Sequence, residues 1–352
     1  MGLLAFLDRR GFPAALTCAA MASALVLSAC GGSSSSGATG GQPSGEKPVK
    51  IGLFMASVGD GYTRAVSQTV PQEAKTLGAS SQLFNANFDP QKQLQQCQDA
   101  IVTQGFQAFI IQSVDGPSMV SCVRQAINAG IKVVAFSNPI GPNVDTTGPQ
   151  VKGLTGTILE SPSTMGQSLA QLTTQACKGH DSCKVIYEFG PADFSFAANT
   201  RKMFNDQLSK QPTIKVVAEG SHEFIPDKAR SMTKQFLVAH PDVNVITSDD
   251  DPSAAAVYKL LQQMGLAKRI AVIGGAGAAD AAVLVAQGKM FGSAVLVPRT
   301  AARKATEIAV KAARGQDPGR TEFNNAKDLS PIGPMLTRSN ASRFKAEWSS
   351  TD

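Results

Sequence analysis

The sequence predicts an α/β protein of two lobes, each built on a parallel β-sheet. From residue 49 onward, short apolar segments rich in β-branched residues alternate with segments of helical periodicity. This alternation is typical of parallel strands that are covered by helices on both faces. The chain also has 352 residues, more than one hydrophobic core usually accommodates, so we expect two lobes.

The order of the elements follows from the same alternation. The segments that predict strands are residues 51–54, 82–85, 108–112, 132–136, 154–158, 184–189, 214–218, 243–247, 270–273 and 293–297. The segments that predict helices are residues 64–77, 91–104, 117–129, 163–177, 197–209, 227–239, 252–264, 278–287 and 299–314. Residues 138–153 are rich in Pro and Gly and interrupt the alternation, so we place the first crossing between the lobes there. We expect residues 323–336 to add a last strand and a third crossing, and Trp348 to pack on a short terminal helix.

The first 29 residues have the features of an export signal. Arg9 and Arg10 are followed by an apolar or small-residue segment at 12–29, which predicts a signal peptide rather than a membrane-spanning helix. The sequence Leu-Ser-Ala-Cys at 27–30 resembles a bacterial lipobox, in which Cys30 becomes the lipid-bearing first residue. The alternative is an ordinary secretory signal with an incidental Cys. Residues 30–48 are rich in Gly and Ser and predict a flexible tether, so we expect an extracytoplasmic protein anchored to the bacterial membrane by a lipid.

Charge and cysteine content limit the partners and the compartment. The formal net charge is +6 at pH 7, but the basic residues are scattered, so the sequence does not predict nucleic-acid binding. Four cysteines follow Cys30, and an even number in an oxidising compartment favours disulfides. Three pairings are possible. We predict Cys97 with Cys122, on successive helices, and Cys177 with Cys183, which close a short loop.

Motifs that suggest catalysis are incomplete. Residues 270–277 precede a predicted helix and resemble a dinucleotide fingerprint, but Asp280 stands where the third Gly is required, and a carboxylate is the wrong charge for a phosphate site. His222-Glu223 begins like a zinc-protease motif, yet Pro226 occupies the position of the second His. The acidic run at 249–251 is compatible with Ca²⁺ but lacks EF-hand spacing. We therefore predict no enzyme activity, no cofactor and no metal.

Four segments carry a resemblance to a known family. Residues 49–62, 104–112, 129–134 and 239–243 resemble the opening strand and cleft loop, the "QGVDAIII" and "AGIPVV" segments, and the "HPD" turn of type I periplasmic-binding-protein-like proteins, in their ribose- and sugar-binding branch. The resemblance implies two Rossmann-like lobes joined by a three-segment hinge, which closes on a small solute. It also implies delivery of that solute to the permease of an ABC importer, and we expect a monomer.

The resemblance also suggests how the chain is divided between the lobes. We expect an N-terminal lobe of residues 49–152 and 298–322, and a C-terminal lobe of residues 153–297 and 323–338. Residues 339–352 form a C-terminal tail in this interpretation.

Candidate ligand-binding residues are carried over position by position. In the first lobe, Asp60 and Tyr62 match the family pattern, whereas Thr63 replaces a second aromatic residue. Ser137 and Asn138 stand where sugar-binding members often have Asp-Arg.

In the second lobe, Arg201 matches a ligand-binding Arg at a helix start, and Phe224 aligns with an aromatic residue. Asp250 stands in place of a ligand-binding Asn, Ala276 in place of a carboxylate, and Leu296 in place of a polar residue.

These departures favour a ligand with fewer hydroxyl groups than ribose. Charged residues that form bidentate hydrogen bonds to vicinal hydroxyls are missing, so we expect a small polyol, a modified sugar or a less hydroxylated solute. The alternatives are a sensory receptor of the same fold and a non-sugar ligand. Each aromatic or charged candidate also has a structural explanation: Tyr62 as core, Phe224 as hinge packing, Arg201 in a surface ion pair. Phe194 and Phe196 fit either a lid over the ligand or the core.

Overall fold

The computed structural model describes residues 48–103 and 105–352. The predicted leader, Cys30 and the tether up to residue 47 lie outside the described residues. None of the described helices is both long enough and apolar enough to cross a lipid bilayer.

The described residues form twelve strands and nine α-helices in close alternation. In chain order these are β1 (Val49–Met55), α1 (Gly61–Thr76), β2 (Ala79–Asn85), α2 (Pro90–Thr103), β3 (Ala108–Ile111), α3 (Gly116–Asn128), β4 (Lys132–Ser137), β5 (Gly156–Leu159), α4 (Pro162–Ala176), β6 (Cys183–Phe189), α5 (Ser195–Leu208), β7 (Ile214–Ser221), α6 (Pro226–Ala239), β8 (Val245–Ser248), α7 (Asp251–Gln263), β9 (Ala271–Gly274), α8 (Ala279–Ala286), β10 (Gly292–Ala294), α9 (Pro298–Ala313), β11 (Glu322–Asn324) and β12 (Met335–Thr337). The ten strands and nine helices that the alternation predicts between residues 51 and 314 are all present, with ends shifted by three residues or fewer.

The strands form two six-stranded sheets, which confirms the predicted two-lobe α/β fold. The first sheet has the order β11-β5-β4-β3-β1-β2, and all of its strands are parallel. The second sheet has the order β12-β10-β9-β8-β6-β7, in which only β12 is antiparallel to its neighbour. Central strands such as β3 and β8 are buried along their whole length, as expected for parallel strands covered on both faces.

The predicted lobe boundaries are wrong at two points. The expected boundaries place β5 in the second lobe, but β5 pairs with β4, and β11 pairs with β5, so both belong to the first sheet. Residues 138–153 are not a crossing, because Ile140 and Val151 are buried in the core of the first lobe. Pro and Gly predict a loop correctly, but they do not indicate which sheet the next strand joins. The first crossing therefore follows Leu159, and the predicted last strand is two short strands in different sheets.

Both disulfides in the structure have the pairing that we predict from the sequence. Cys97 on α2 is joined to Cys122 on α3, and both side chains are buried in the first-lobe core. Cys177, which follows α4, is joined to Cys183 at the start of β6.

The C-terminal tail is extended, in place of the predicted terminal helix. Only Ala341–Arg343 form a short 3₁₀ helix, and Trp348 follows in irregular chain. Trp348 is buried, its Nε1 donates to the carbonyl oxygen of Ala276 at 2.8 Å, and its own carbonyl accepts from Ala279 N at 2.8 Å. The tail also lies directly on Gly61, where any side chain would clash with the carbonyl oxygen of Ser349.

Candidate ligand-binding cleft

A cavity of about 60 Å³ lies where the carboxyl ends of the two sheets face each other. Ligands of open α/β sheets bind at this end of the strands. Residues that directly follow β1, β3, β5 and β8 contribute to its walls. The lining residues are Ala56, Asp60, Tyr62, Thr63, Phe88, Gln112, Glu160, Met165, Phe194, Phe196, Phe224, Asp249, Asp250, Ala276, Leu296 and Trp348.

On the first-lobe side, the start of α1 fixes the position of Tyr62. Asp60 caps the helix by accepting from Thr63 N at 2.8 Å and from Thr63 Oγ1 at 2.9 Å. The neighbouring Tyr62 hydroxyl then donates to Glu160 Oε1. Ser137 Oγ donates to the other oxygen, Oε2, at 2.6 Å. Within the described part of the chain, Glu160 is thus held by two neutral hydroxyl groups and by no cation.

Burial determines the electrostatics of this pair. Loss of water contact raises the pKa of Glu160 to about 7, although the two hydroxyl donors oppose the shift. Burial, and then the charge of Glu160, raises the pKa of the Tyr62 hydroxyl well above its ordinary value. Tyr62 therefore stays a hydrogen-bond donor at neutral pH.

On the second-lobe side, two consecutive carboxylates line the cavity at the end of β8. Asp250 caps α7, since its Oδ2 accepts from Ser253 N at 2.9 Å and Ser253 Oγ at 2.6 Å. Burial raises the pKa of Asp250 to about 6. Asp249 Oδ2 accepts from Gly190 N at 3.1 Å, and its Oδ1 lies 3.3 Å from His222 Nε2.

His222 supports Asp249 from behind the cavity wall. Phe224 N donates to its Nδ1 at 3.0 Å, so Nδ1 is an acceptor and the hydrogen of the neutral ring lies on Nε2. Burial alone would lower the pKa of His222, but the proximity and charge of Asp249 outweigh it and raise the pKa. Charging the ring would displace the Phe224 N–H from Nδ1, which links the charge of His222 to the backbone of a cavity residue.

Six aromatic side chains enclose the remaining space. They are Tyr62, Phe88, Phe194, Phe196, Phe224 and Trp348. Phe88 of the first lobe meets Phe194 of the second at 5.4 Å between ring centroids, and Tyr62 meets Trp348 edge-on at 5.6 Å. The rings come from both lobes and the tail, so this part of the wall is complete only when the lobes are together.

The structure brings together six of the nine predicted binding residues. Those that line the cavity are Asp60, Tyr62, Thr63, Phe224, Asp250 and Ala276. Leu296, Phe194 and Phe196 also line it. Their contact with a ligand stays a prediction.

The other three predicted residues do not line the cavity. Ser137 lies behind Glu160, and Asn138 Nδ2 donates to the carbonyl oxygen of Ser113 at 2.7 Å. Arg201 Nε donates to Glu219 Oε2 at 2.8 Å, and its guanidinium lies 4.5 Å from the centroid of Phe189. Arg201 is therefore held by an acidic partner on the neighbouring strand β7, and its contact with a ligand stays a prediction.

Sequence reasoning missed several lining residues. Gln112 and Glu160 directly follow β3 and β5, so the strand-end rule could have identified both. Asp249 enters the sequence argument only as part of an acidic run. Phe88 and Met165 carry no distinguishing signal, and Trp348 reaches the site from a tail whose path the sequence does not indicate.

This fold, with a cavity between two lobes, defines a solute-binding protein. Residues 51–317 match the family model described as "Periplasmic binding protein domain". The chain therefore belongs to the periplasmic binding protein family, which confirms the predicted family. Its similar proteins are binding proteins rather than enzymes, which confirms the prediction of no enzyme activity, and the family implies an extracytoplasmic location.

Particular relatives are similar at modest identity. The ribose import binding protein of Salmonella typhimurium is 24% identical over 266 residues, 76% of this chain and 85% of the relative. A xylitol-binding protein of Mycolicibacterium smegmatis is 22% identical over 212 residues, 60% of this chain and 57% of the relative. An ABC transporter solute binding protein from Mycobacterium smegmatis, solved with bound glycerol, has a TM-score of 0.71 and 25% identity, and the match covers 86% of this chain and 99% of that one.

Proposed function

We propose that the protein is the lipid-anchored, extracytoplasmic solute receptor of an ABC importer. It binds a small carbohydrate or polyol in the cavity and delivers it to the permease after the lobes close. The cavity itself carries this proposal, because its walls come from both lobes and combine apolar rings with a few polar groups. Binding sites for small molecules have this composition, and closure of two domains on a solute is a recurrent transport motion.

The size of the cavity favours a compact ligand. The cavity of about 60 Å³ is well below the roughly 300–1,000 Å³ of pockets that hold drug-sized ligands. The relatives named for ribose and xylitol and the structure with glycerol support a hydroxylated ligand. Ala276 and Leu296 offer no side-chain partner to hydroxyl groups, which argues against tight binding of ribose.

A thermal-shift screen followed by calorimetric titration tests the ligand class. Glycerol, xylitol, ribose and arabinose are added to the purified protein, with Phe224→Ala as the variant that opens the cavity wall. A true ligand at a hundred times its Kd stabilises the fold by about 2.7 kcal/mol, and the shift should shrink in the variant. No shift with any carbohydrate or polyol would contradict the proposed ligand class.

Anchoring and delivery need separate experiments. Cys30→Ser should move the protein from the membrane fraction to the soluble extracytoplasmic fraction and abolish incorporation of a labelled fatty acid. Retention of the label in this variant would contradict lipidation at Cys30. Uptake of the identified ligand should fall when the gene for this protein is deleted. If the deletion strain takes up the ligand normally but no longer responds to it, the sensory alternative is favoured.

A further inference from the structure

The cavity is lined by negative charge without positive charge. Asp60, Glu160, Asp249 and Asp250 all contribute to its wall, and none of the described lining residues is Lys, Arg or His. The one Arg that the family resemblance assigned to the ligand is held by Glu219 instead. The site therefore differs in charge from one that uses Arg to hold hydroxyl groups.

Neutral groups hold these carboxylates. Backbone N–H groups and the hydroxyls of Thr63, Tyr62, Ser137 and Ser253 supply the hydrogen bonds. They orient the carboxyl groups but supply no positive charge to them. The ring of His222 stands behind Asp249, and it faces the protein interior rather than the cavity.

Two buried acceptors at the cavity wall lack a well-placed donor. Asp249 Oδ1 and Gln112 Oε1 accept no hydrogen bond from the described residues, although both side chains line the cavity and are 5% and 3% exposed. The His222 ring that lies 3.3 Å from Asp249 Oδ1 makes its closer Nε2 contact with Ser248 Oγ, at 3.0 Å. A buried acceptor without a partner destabilises the protein. A ligand whose N–H or O–H groups donate to both oxygens would remove this destabilisation.

The aromatic wall favours the same kind of ligand. Phe88, Phe194 and Phe224 lie together, with centroid distances of 5.4 Å from Phe88 to Phe194 and 6.5 Å from Phe194 to Phe224. The faces of aromatic rings attract cations, most strongly where water is excluded. Rings and carboxylates together form an environment that suits an ammonium group better than a neutral carbon chain.

We propose that the ligand carries a cationic nitrogen: an amino sugar or amino-polyol whose ammonium group is recognised by Asp249, Asp250 and the aromatic wall. This inference rests on the proposed function and narrows its ligand class. The ammonium group supplies donors to the unpartnered oxygens and neutralises charge that a neutral polyol would leave in place.

The buried carboxyl groups add a second consequence of a cationic ligand. Burial raises the pKa of Glu160 to about 7 and that of Asp250 to about 6. A nearby positive charge favours the ionised form of both groups, so a bound cation should release protons near neutral pH.

Matched ligand pairs test the charge directly. The purified protein is titrated with glycerol and 2-amino-1,3-propanediol, with D-glucose and D-glucosamine, and with choline as a cation with one hydroxyl. A charged donor contributes about 1.4 kcal/mol more than a neutral one, so the amine of at least one pair should bind roughly tenfold tighter. Equal or tighter binding of the neutral partners would overturn this inference and leave the proposed function standing. Binding of choline alone would support the cation and contradict the polyol class, and no binding at all would contradict both.

A charge-neutralising variant with a matched control localises the effect. Asp250→Asn keeps a residue that caps helices well and removes the charge, so affinity for the amine should fall roughly tenfold and the preference for the amine over its neutral partner should shrink. Asp115→Asn is the control, since Asp115 caps α3 in the same way, at 2.8 Å from Ser118 N, outside the cavity. Preference for the amine that survives both Asp250→Asn and Asp249→Asn would contradict the proposed site.

Discussion

Backbone strain is concentrated around the cavity. Six non-glycine residues in the described part of the chain have a positive φ: Asn87, Phe88, Ser137, Glu223, Phe224 and Ala276. Three of them line the cavity, and each of the others adjoins or contacts a lining residue. Such conformations cost about 1–3 kcal/mol each and persist where the surroundings hold them. The surroundings of the cavity therefore hold these rings and backbone segments in conformations that they would not adopt alone.

Ala276 allows this strain to be measured. Its φ is +83°, a conformation that glycine adopts without steric cost. Replacing Ala276 by Gly should raise the free energy of unfolding by about 0.5–1 kcal/mol, after the extra entropy of a flexible Gly is subtracted. The matched control is Ala254→Gly inside α7, where glycine should destabilise by about 1 kcal/mol. Urea unfolding measures both, and destabilisation by Ala276→Gly would contradict the strain argument.

The buried carboxyl of Glu188 predicts a pH dependence. Burial raises its pKa from the ordinary 4.5 to about 7, while a hydrogen bond from Thr233 and the charge of His222 oppose the shift. A pKa raised by folding means that the folded state binds the proton more tightly. The resulting stability is fully present below pH 4.5 and is lost as pH rises through about 7.

Glu188→Gln tests this dependence, because Gln resembles the protonated acid. Between pH 5 and pH 8 the free energy of unfolding of the wild-type protein should fall by on the order of 3 kcal/mol, and that of the variant should not show this fall. Urea unfolding at both pH values measures the difference. The partly exposed Glu73→Gln serves as the control for removing one negative charge, and identical pH profiles of Glu188→Gln and the wild type would contradict the prediction.

At the scale of residues, much of the site follows from the rule that ligands bind beyond the carboxyl ends of the strands in an open α/β sheet. It identifies Asp60, Tyr62 and Asp250, and applied consistently it would have added Gln112 and Glu160. It could not show that Arg201 is bound by Glu219, since that contact depends on how α5 packs against β7. It also could not place Trp348, which is distant in sequence from every strand end of the cavity.

At the scale of elements, apolar periodicity was sufficient to locate the secondary structure. Central strands such as β3 and β8 are continuous apolar or small-residue segments, and the helices between them have one buried face. The assignment of β5 and β11 to the first sheet could not be predicted. Their short sequences fit either sheet, and only the pairing of β5 with β4 and of β11 with β5 decides between them.

The two disulfides should contribute unequally to stability. In the chain-entropy description, a longer loop restricts the unfolded chain more. The bond between Cys97 and Cys122 spans 25 positions and that between Cys177 and Cys183 spans 6, so we expect about 3.5 and 2.4 kcal/mol respectively.

Paired Cys→Ala variants measure this difference by chemical unfolding under oxidising conditions, and repeating each measurement with reductant separates the covalent bond from the packing change. Peptide mapping of the oxidised protein should recover these two linkages. Recovery of any other pairing would contradict the predicted connectivity.

At the scale of the whole molecule, the tail links the two lobes beside the cavity. Arg299 in the first-lobe helix α9 donates to the Glu347 carbonyl oxygen at 2.6 Å and pairs with Asp352 at 2.9 Å. Trp348 is hydrogen-bonded to Ala276 and Ala279 of the second lobe. The tail therefore spans the two lobes where Trp348 completes the cavity wall, and it adds to the three chain crossings.

Weakening the tail's attachment to the first lobe should weaken ligand binding. Arg299→Ala removes its hydrogen bonds to Glu347 and Asp352 but leaves the bonds of Arg64 and Thr300 to the tail and those of Trp348 to the second lobe. The closed form of the variant then has fewer contacts between the lobes. If the closed form loses about 1–2 kcal/mol of stability relative to the open form, affinity for the ligand falls roughly 5- to 30-fold.

Calorimetric titration measures affinity, and small-angle scattering should show that the ligand-free variant has a larger radius of gyration than the ligand-free wild type. Lys304→Ala, on the same helix and paired with Glu307, is the control that should bind normally. Unchanged affinity in Arg299→Ala would mean that the tail packs against the lobes without favouring their closure.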